Sequence, residues 1–168
     1  MSVKLKEISL LSDREEIHKA FELAQDVFMM YEAPTFTKRG TESFLNFLWG
    51  KRVREMLDEG NVRVWVCHSE GELAGMIALR ENSHISLLFV KGNFHRQGIG
   101  RMLYTEAKNH AIASGTKFIT VNASEYGLPF YKAMGFYETD MQLTNDGIIY
   151  TPMETKLDLK GRLTYAYP

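Results

Sequence analysis

The chain has 168 residues, 45% of them hydrophobic and 24% charged, the size and balance of one globular domain rather than a disordered segment. Its 20 basic residues stand against 21 acidic ones, a net charge of −1, so no basic excess marks a nucleic-acid binder. A single cysteine, Cys67, excludes an intrachain disulfide and suits a reducing cytoplasm. No stretch approaches the ~18 consecutive apolar residues of a membrane span, and the charged run Asp13-Arg14-Glu15-Glu16 stands where a signal peptide would continue its apolar region.

Val3 to Leu10 reads as a first strand. Ser12 and Glu15 have capping-box spacing, which predicts that the serine oxygen caps a helix and the glutamate reaches back. Ile17, Phe21, Ala24, Val27, Phe28 and Tyr31 then recur at helical spacing, and Pro34 ends that helix. A second helical region covers residues 41–58, with Phe44, Phe47, Leu48, Val53, Met56 and Leu57 as its apolar face, Gly50 as a point of division and Gly60 at its end.

Strand signals follow. Val62, Val64 and Val66 alternate with Arg63, Trp65 and Cys67. Glu70-Gly71 predicts a hairpin turn into a strand over residues 73–79. After the turn Glu81-Asn82-Ser83, residues 85–90 are apolar enough for a strand buried on both faces. These three strands read as an antiparallel meander. A Gly-rich turn opens a helix over 98–113, closed by Gly115. Then come a strand (118–121), a short helix (128–134) closed by Gly135, and a hairpin of residues 137–143 and 148–157 about Asn145-Asp146-Gly147. The order βααβββαβαββ predicts an α/β fold: a mixed, mostly antiparallel central sheet with helices on both faces. With no repeat and no linker, residues 1–157 read as one domain, and 158–168 as an extension.

The segment from Val90 to Arg101 carries the most chemistry. A buried strand runs into glycines that open a helix, whose free N–H groups make an anion site. Across residues 91–108, Lys91, Arg96, Arg101 and Lys108 stand against Glu106 alone. The turn is no P-loop, because Gly100 is followed by Arg101-Met102, and no dinucleotide fingerprint, because position 103 is leucine.

His95-Arg96-Gln97-Gly98-Ile99-Gly100 resembles the acyl-CoA loop of the GNAT-type N-acetyltransferases, Gln/Arg-x-x-Gly-x-Gly/Ala, with His95 departing from the pattern at the first position. Asn122-Ala123-Ser124, followed by Pro129-Phe130-Tyr131-Lys132-Ala133-Met134-Gly135-Phe136, looks like that family's second motif. The order and separation of the two motifs also match, as does the element order from Val3 to Leu157.

The resemblance implies acetyl-CoA as co-substrate, no metal, and transfer to an amine in a ternary complex. It implies that the amides from Gln97 through Gly98, Ile99 and Gly100 to Arg101 hold the pyrophosphate, with His95 opening the loop. Leu88, Phe89 and Val90 would pair their backbone with the pantetheine arm. Arg96 and Arg101 read equally as phosphate partners or as solvated surface residues. Asn122 and Ser124 read equally as partners of the arm or as caps of the following turn. Tyr131 is the expected proton donor to the departing thiolate, against the plainer reading of a packed aromatic. On the strand before the loop His84, Ser86, Leu88 and Val90 should share one face, so His84 reads equally as a candidate base and as a satisfied histidine at a strand start, with Glu32 and Glu81 behind it as bases. Cys67 reads as a core residue rather than an acyl carrier.

The aromatic group Phe36, Phe44, Phe47 and Trp49 lies where this family builds its acceptor wall, although such aromatics are more often simply core. The acidic residues across 13–32 read as a solvated helix face, with attraction of a cationic amine as the weaker alternative. The acceptor stays open among small amines, amino acids and protein amines, with neither nucleic acid nor membrane as partner. A different class of function also stays open: a non-catalytic acyl-CoA sensor or protein-interaction module on the same fold. Leu157, Leu159, Leu163, Tyr165 and Tyr167 alternate with polar residues, which predicts an extra strand and a homodimer contact.

Overall fold

The computed structural model describes residues 2–158. The alternating tail, and the dimer contact drawn from it, lie outside the described residues apart from Leu157 and Asp158.

β1 (Val3–Ile8), β2 (Val62–Ser69), β3 (Glu72–Arg80) and β4 (His84–Val90) form the antiparallel meander. Its turns place Glu70 and Gly71 at φ 52° and 79°, and Glu81 and Asn82 at 51° and 60°. Such left-handed pairs match the twist of the strands they join. β5 (Phe118–Ala123) lies parallel to β4, and β8 (Ile148–Lys156) antiparallel to β5. β6 (Tyr137–Glu138) and β7 (Leu143–Asn145) both pair with β8. The sheet is open, eight-stranded and mostly antiparallel, in the order β1-β2-β3-β4-β5-β8-β6 with β7 on β8.

Helices cover both faces. α1 (Arg14–Tyr31), α2 (Lys38–Leu48) and α3 (Lys51–Asp58) take one face, where Phe21, Ala24 and Phe28 pack with Val64, Met76 and Leu87. α4 (Ile99–Ala113) and α5 (Leu128–Ala133) take the other, where Ile99, Leu103 and Ala107 pack with Ile77, Leu79 and Val121. Each large apolar side chain so buried contributes about 1.5–3 kcal/mol before the entropy of ordering it. No helix among the described residues is long and apolar enough to cross a membrane.

Several boundaries differ from the sequence expectation for local reasons. The Ser12–Glu15 capping box does not form. The chain turns at Ser9–Asp13 and the helix begins at Arg14, so Glu15 falls one position short of the box. The Ser12 hydroxyl donates instead to Asp13 Oδ2 at 2.8 Å. α2 starts at Lys38 because Thr37 Oγ1 accepts from Gly40 N–H at 3.0 Å and caps it early. The strand expected over 137–143 is broken, leaving β6 and β7 as separate short pieces.

β4 differs most. Its register with β3 passes from Ile85↔Leu79 directly to Leu87↔Ala78, so Ser86 is an extra, bulged residue. A bulge reverses the alternation beyond it. Ile85 packs on the α4 side, Leu87 and Phe89 pack on the α1 side, and Leu88 and Val90 return to the α4 side. The expectation of one shared face for His84, Ser86, Leu88 and Val90 therefore fails. His84, next to Ile85 and opposite Arg80, faces the α1 side.

Candidate active site

β4 and β5 pair at only two positions, His84↔Thr120 and Ile85↔Val121. Beyond them no ladder joins the strands, and a cavity of about 720 Å³ opens into the gap from both faces of the sheet. The open edge of β4 has defined backbone polarity. Lys91 N–H donates to Ala74 O at 2.8 Å, which makes Val90↔Gly75 a non-hydrogen-bonded pair and turns the N–H and C=O groups of Leu88 and Val90 away from β3. Phe89 spends its backbone on β3, so of the three residues expected to pair with an extended ligand only Leu88 and Val90 face the gap. Val90 O already accepts from His95 Nε2 at 2.6 Å. A carbonyl can only accept, so Nε2 carries the hydrogen.

His95 thereby ties the Gly-rich turn to the strand, and its other side meets two aromatic rings. Tyr31 lies 5.0 Å from the His95 ring and stacks on Tyr126 at 5.2 Å. The Tyr126 hydroxyl lies 3.4 Å from His95 Nδ1. Arg96 and Gly98 then adopt left-handed φ of 61° and 80° before α4 begins. A Cβ on Gly98 would meet no atom within 4 Å, so the backbone conformation and not crowding calls for glycine there. At Gly100 the reason is different: a Cβ would lie 3.1 Å from the Phe130 ring. Arg96, Gly98, Ile99, Gly100 and Arg101 all line the cavity, while Gln97 turns its amide back to Asn93 O.

Deeper in, the cavity collects groups from both faces. Tyr131 on α5 is 7% exposed, held edge-on between Phe130 and Phe136 at 5.3 and 5.4 Å. Burial raises the pKa of its hydroxyl, and the Glu32 carboxylate adds to the rise, so Tyr131 holds its proton throughout the neutral range. Glu32, at the end of α1, enters from the other face. Burial raises its carboxyl to about 7, against a smaller opposing effect from a Ser124 hydrogen bond. Ser124 Oγ also accepts from Gly127 N–H at 3.0 Å, which leaves its hydrogen for Glu32. Asn122 lines the cavity beside it on the β5 side.

His84 Nδ1 lies 2.8 Å from Thr120 Oγ1. Burial, with Arg80 adding to it, lowers its pKa to about 4. Glu81 stands exposed at the β3–β4 turn, outside the cavity wall. The bulged Ser86 has its hydroxyl buried in that wall with no hydrogen-bond partner, the condition of a group that a ligand satisfies.

The α1–α2 side is aromatic. Phe44 stacks on Phe28 at 3.9 Å, and Phe36 and Phe47 line the same end. Trp49 does not join them; it packs against His18 and Phe21 and donates to Gln25 Oε1 in a separate groove. Glu32 is hard to single out in the sequence because it ends a run of solvated acids, and its place between Tyr31 and Pro34 is the available signal. Ser86 carried no signal of its own, because bulges leave none in an apolar strand.

A family model described as "Acetyltransferase (GNAT) domain" matches residues 32–157. Solved structures share the whole architecture. A GCN5-related N-acetyltransferase from Rhodopseudomonas palustris superposes with a TM-score of 0.77 at 17% identity, over 94% of this chain and 97% of that one. The PaiA N-acetyltransferase of Thermoplasma acidophilum, solved with coenzyme A, gives 0.74 at 20% identity, over 94% and 100%. The ribosomal-protein-S18-alanine N-acetyltransferase of Escherichia coli gives 0.64 at 15% identity, over 98% and 99%. At these identities each likeness is one of fold. The family match covers well over half of the sequence and includes both sides of the β4–β5 gap: the chain belongs to the GNAT acetyltransferase family.

Proposed function

We propose that this protein is an N-acetyltransferase that moves an acetyl group from acetyl-CoA to a primary amine by direct attack within a ternary complex. The observation that carries the reading is the opened sheet. One gap offers a free strand edge, a helix start with basic residues at one end, and a tyrosine and a buried carboxyl at its centre. The neighbour solved with coenzyme A has the same architecture.

On this reading the pyrophosphate sits on the amides from Gly98 to Arg101, where the dipole of a 15-residue helix and the exposed Arg96 and Arg101 favour anions. Leu88 and Val90 offer their N–H groups to the amide carbonyls of the pantetheine arm, with Asn122 and Ser124 on its other side. The amine lone pair attacks the thioester carbonyl carbon and the C–S bond breaks. The sulfur takes the Tyr131 proton, which the amine's second proton restores. The first proton, lost so that the lone pair is free, goes to Glu32. A histidine at about 4 is neutral but a weak proton acceptor, so the role expected of His84 passes to Glu32, and His84 serves to position the strand edge with Thr120.

Cys67 is fully buried in the α4-side core with its thiol pushed up to about 11, which favours direct transfer over an acyl-cysteine route. The transferase unit is residues 1–157, working in the cytoplasm, where acetyl-CoA is supplied. Thiol release from acetyl-CoA in the presence of primary amines tests the reading. Tight acetyl-CoA binding without release for any amine would replace it with the sensor.

A further inference from the structure

Resting on that reading, we propose that the acceptor is a compact amine with one positive charge and an apolar body, and neither a polyamine nor a polypeptide. Two observations carry this. First, the α1–α2 end of the cavity is walled by Phe36, Phe44 and Phe47 and by Ile148, Ile149 and Tyr150 of β8. Among the described residues lining the whole cavity, Glu32 is the one carboxylate. One ammonium can pair with it. A second would find no carboxylate among these residues and would have Arg80 nearby. An aromatic or aliphatic body instead gains burial and edge-to-face ring contacts.

Second, this end is roofed. The β7–β8 turn is fastened to α2: Arg39 Nε and Nη2 both donate to Asp146 Oδ1, and Ser43 Oγ donates to Asp146 O at 2.8 Å. Beneath that clasp Gly40 and Gly147 meet backbone to backbone, so closely that a Cβ on Gly40 would strike Gly147 O. The two elements that wall the acceptor end are therefore in contact at Gly40 and Gly147, which narrows the approach of an extended chain at this end.

The test is the rate of thiol release with acetyl-CoA over five acceptors: 2-phenylethylamine, hexylamine, putrescine, spermidine and a peptide with a free N-terminal alanine. We expect kcat/KM for 2-phenylethylamine to exceed that for putrescine by about 10²-fold or more, because an unmet buried charge discriminates strongly, and the peptide to be inert. Phe47→Glu, which brings a second carboxylate to the wall, should narrow that ratio about tenfold or more while acetyl-CoA affinity holds. Should the variant misfold, the wild-type panel still decides. Preference for putrescine, spermidine or the peptide would overturn this inference and leave the transferase standing. Bound acetyl-CoA with no release for any acceptor would overturn the transferase reading, and this inference with it.

Discussion

Ile85 and Leu87 stand two residues apart on one strand yet pack into opposite cores. The extra residue between them, Ser86, reverses the pleat. His84 thereby shares the α1 face with its β3 partner Arg80, while Leu88 and Val90 take the α4 face. The same short stretch ends the β4–β5 ladder. One bulge thus places polar groups on the acceptor side of the gap and a free backbone edge along it.

Glu32→Gln should lower kcat/KM by about 10²–10³-fold with acetyl-CoA affinity unchanged, as loss of a positioned base does. The sign of the pH effect follows from the raised pKa. Only the carboxylate accepts a proton, so wild-type kcat/KM should rise with pH through about 7. The variant should lose that limb. Stability should move the opposite way: a carboxyl whose pKa is raised by folding stabilises below its unfolded value and loses that contribution as pH rises from about 4.5 to about 7. Paired pH–rate and pH–melting profiles of wild type and variant check both.

Tyr131→Phe keeps the ring between Phe130 and Phe136 and removes only the hydroxyl. It should lower kcat by roughly 10²–10⁴-fold, the range for a positioned proton donor, with little change in melting temperature or acetyl-CoA affinity. Wild-type turnover under single-turnover conditions would remove the acid from the mechanism.

Gly98 and Gly60 share nearly the same backbone conformation, φ 80° and 75°, and neither has an atom within 4 Å of a Cβ position. Alanine at either should cost about 1–2 kcal/mol of backbone strain. Calorimetry should show weakened acetyl-CoA binding for Gly98→Ala alone, because of the two only Gly98 adjoins the proposed pyrophosphate site. Equal affinity in the two variants would move the pyrophosphate elsewhere.

Gly40→Ala drives a methyl group into the Gly147 carbonyl, so the β7–β8 turn must lift from α2. The amine KM should rise several-fold or more, with acetyl-CoA affinity held, since the change touches one wall of the acceptor end. Steady-state kinetics with each substrate varied separate the two effects.

The element order and the Gly-rich turn were legible because they rest on local signals: alternation at Val62–Val66, left-handed turn residues at Glu70-Gly71, and helical spacing from Ile99 to Ala111. The place of Tyr131 on a short helix at the cavity was legible through its neighbours in a motif. What escaped depends on non-local geometry. The bulge at Ser86 exists only in the register of β4 on β3, and an apolar strand carries no mark of it. The ranking of His84 over Glu32 followed intrinsic pKa values, whereas burial reversed the order, lowering the imidazole to about 4 and raising the carboxyl to about 7. Trp49 is near the cavity aromatics in sequence but lies past the end of α2, two residues from Phe47, and so turns to another groove.

The most direct test of acetyl transfer counts products. With acetyl-CoA and 2-phenylethylamine both varied, thiol release and the mass of the acetylated amine should rise together, one for one, with intersecting double-reciprocal plots. Acetyl-CoA that binds tightly yet releases no thiol to any amine would contradict the account.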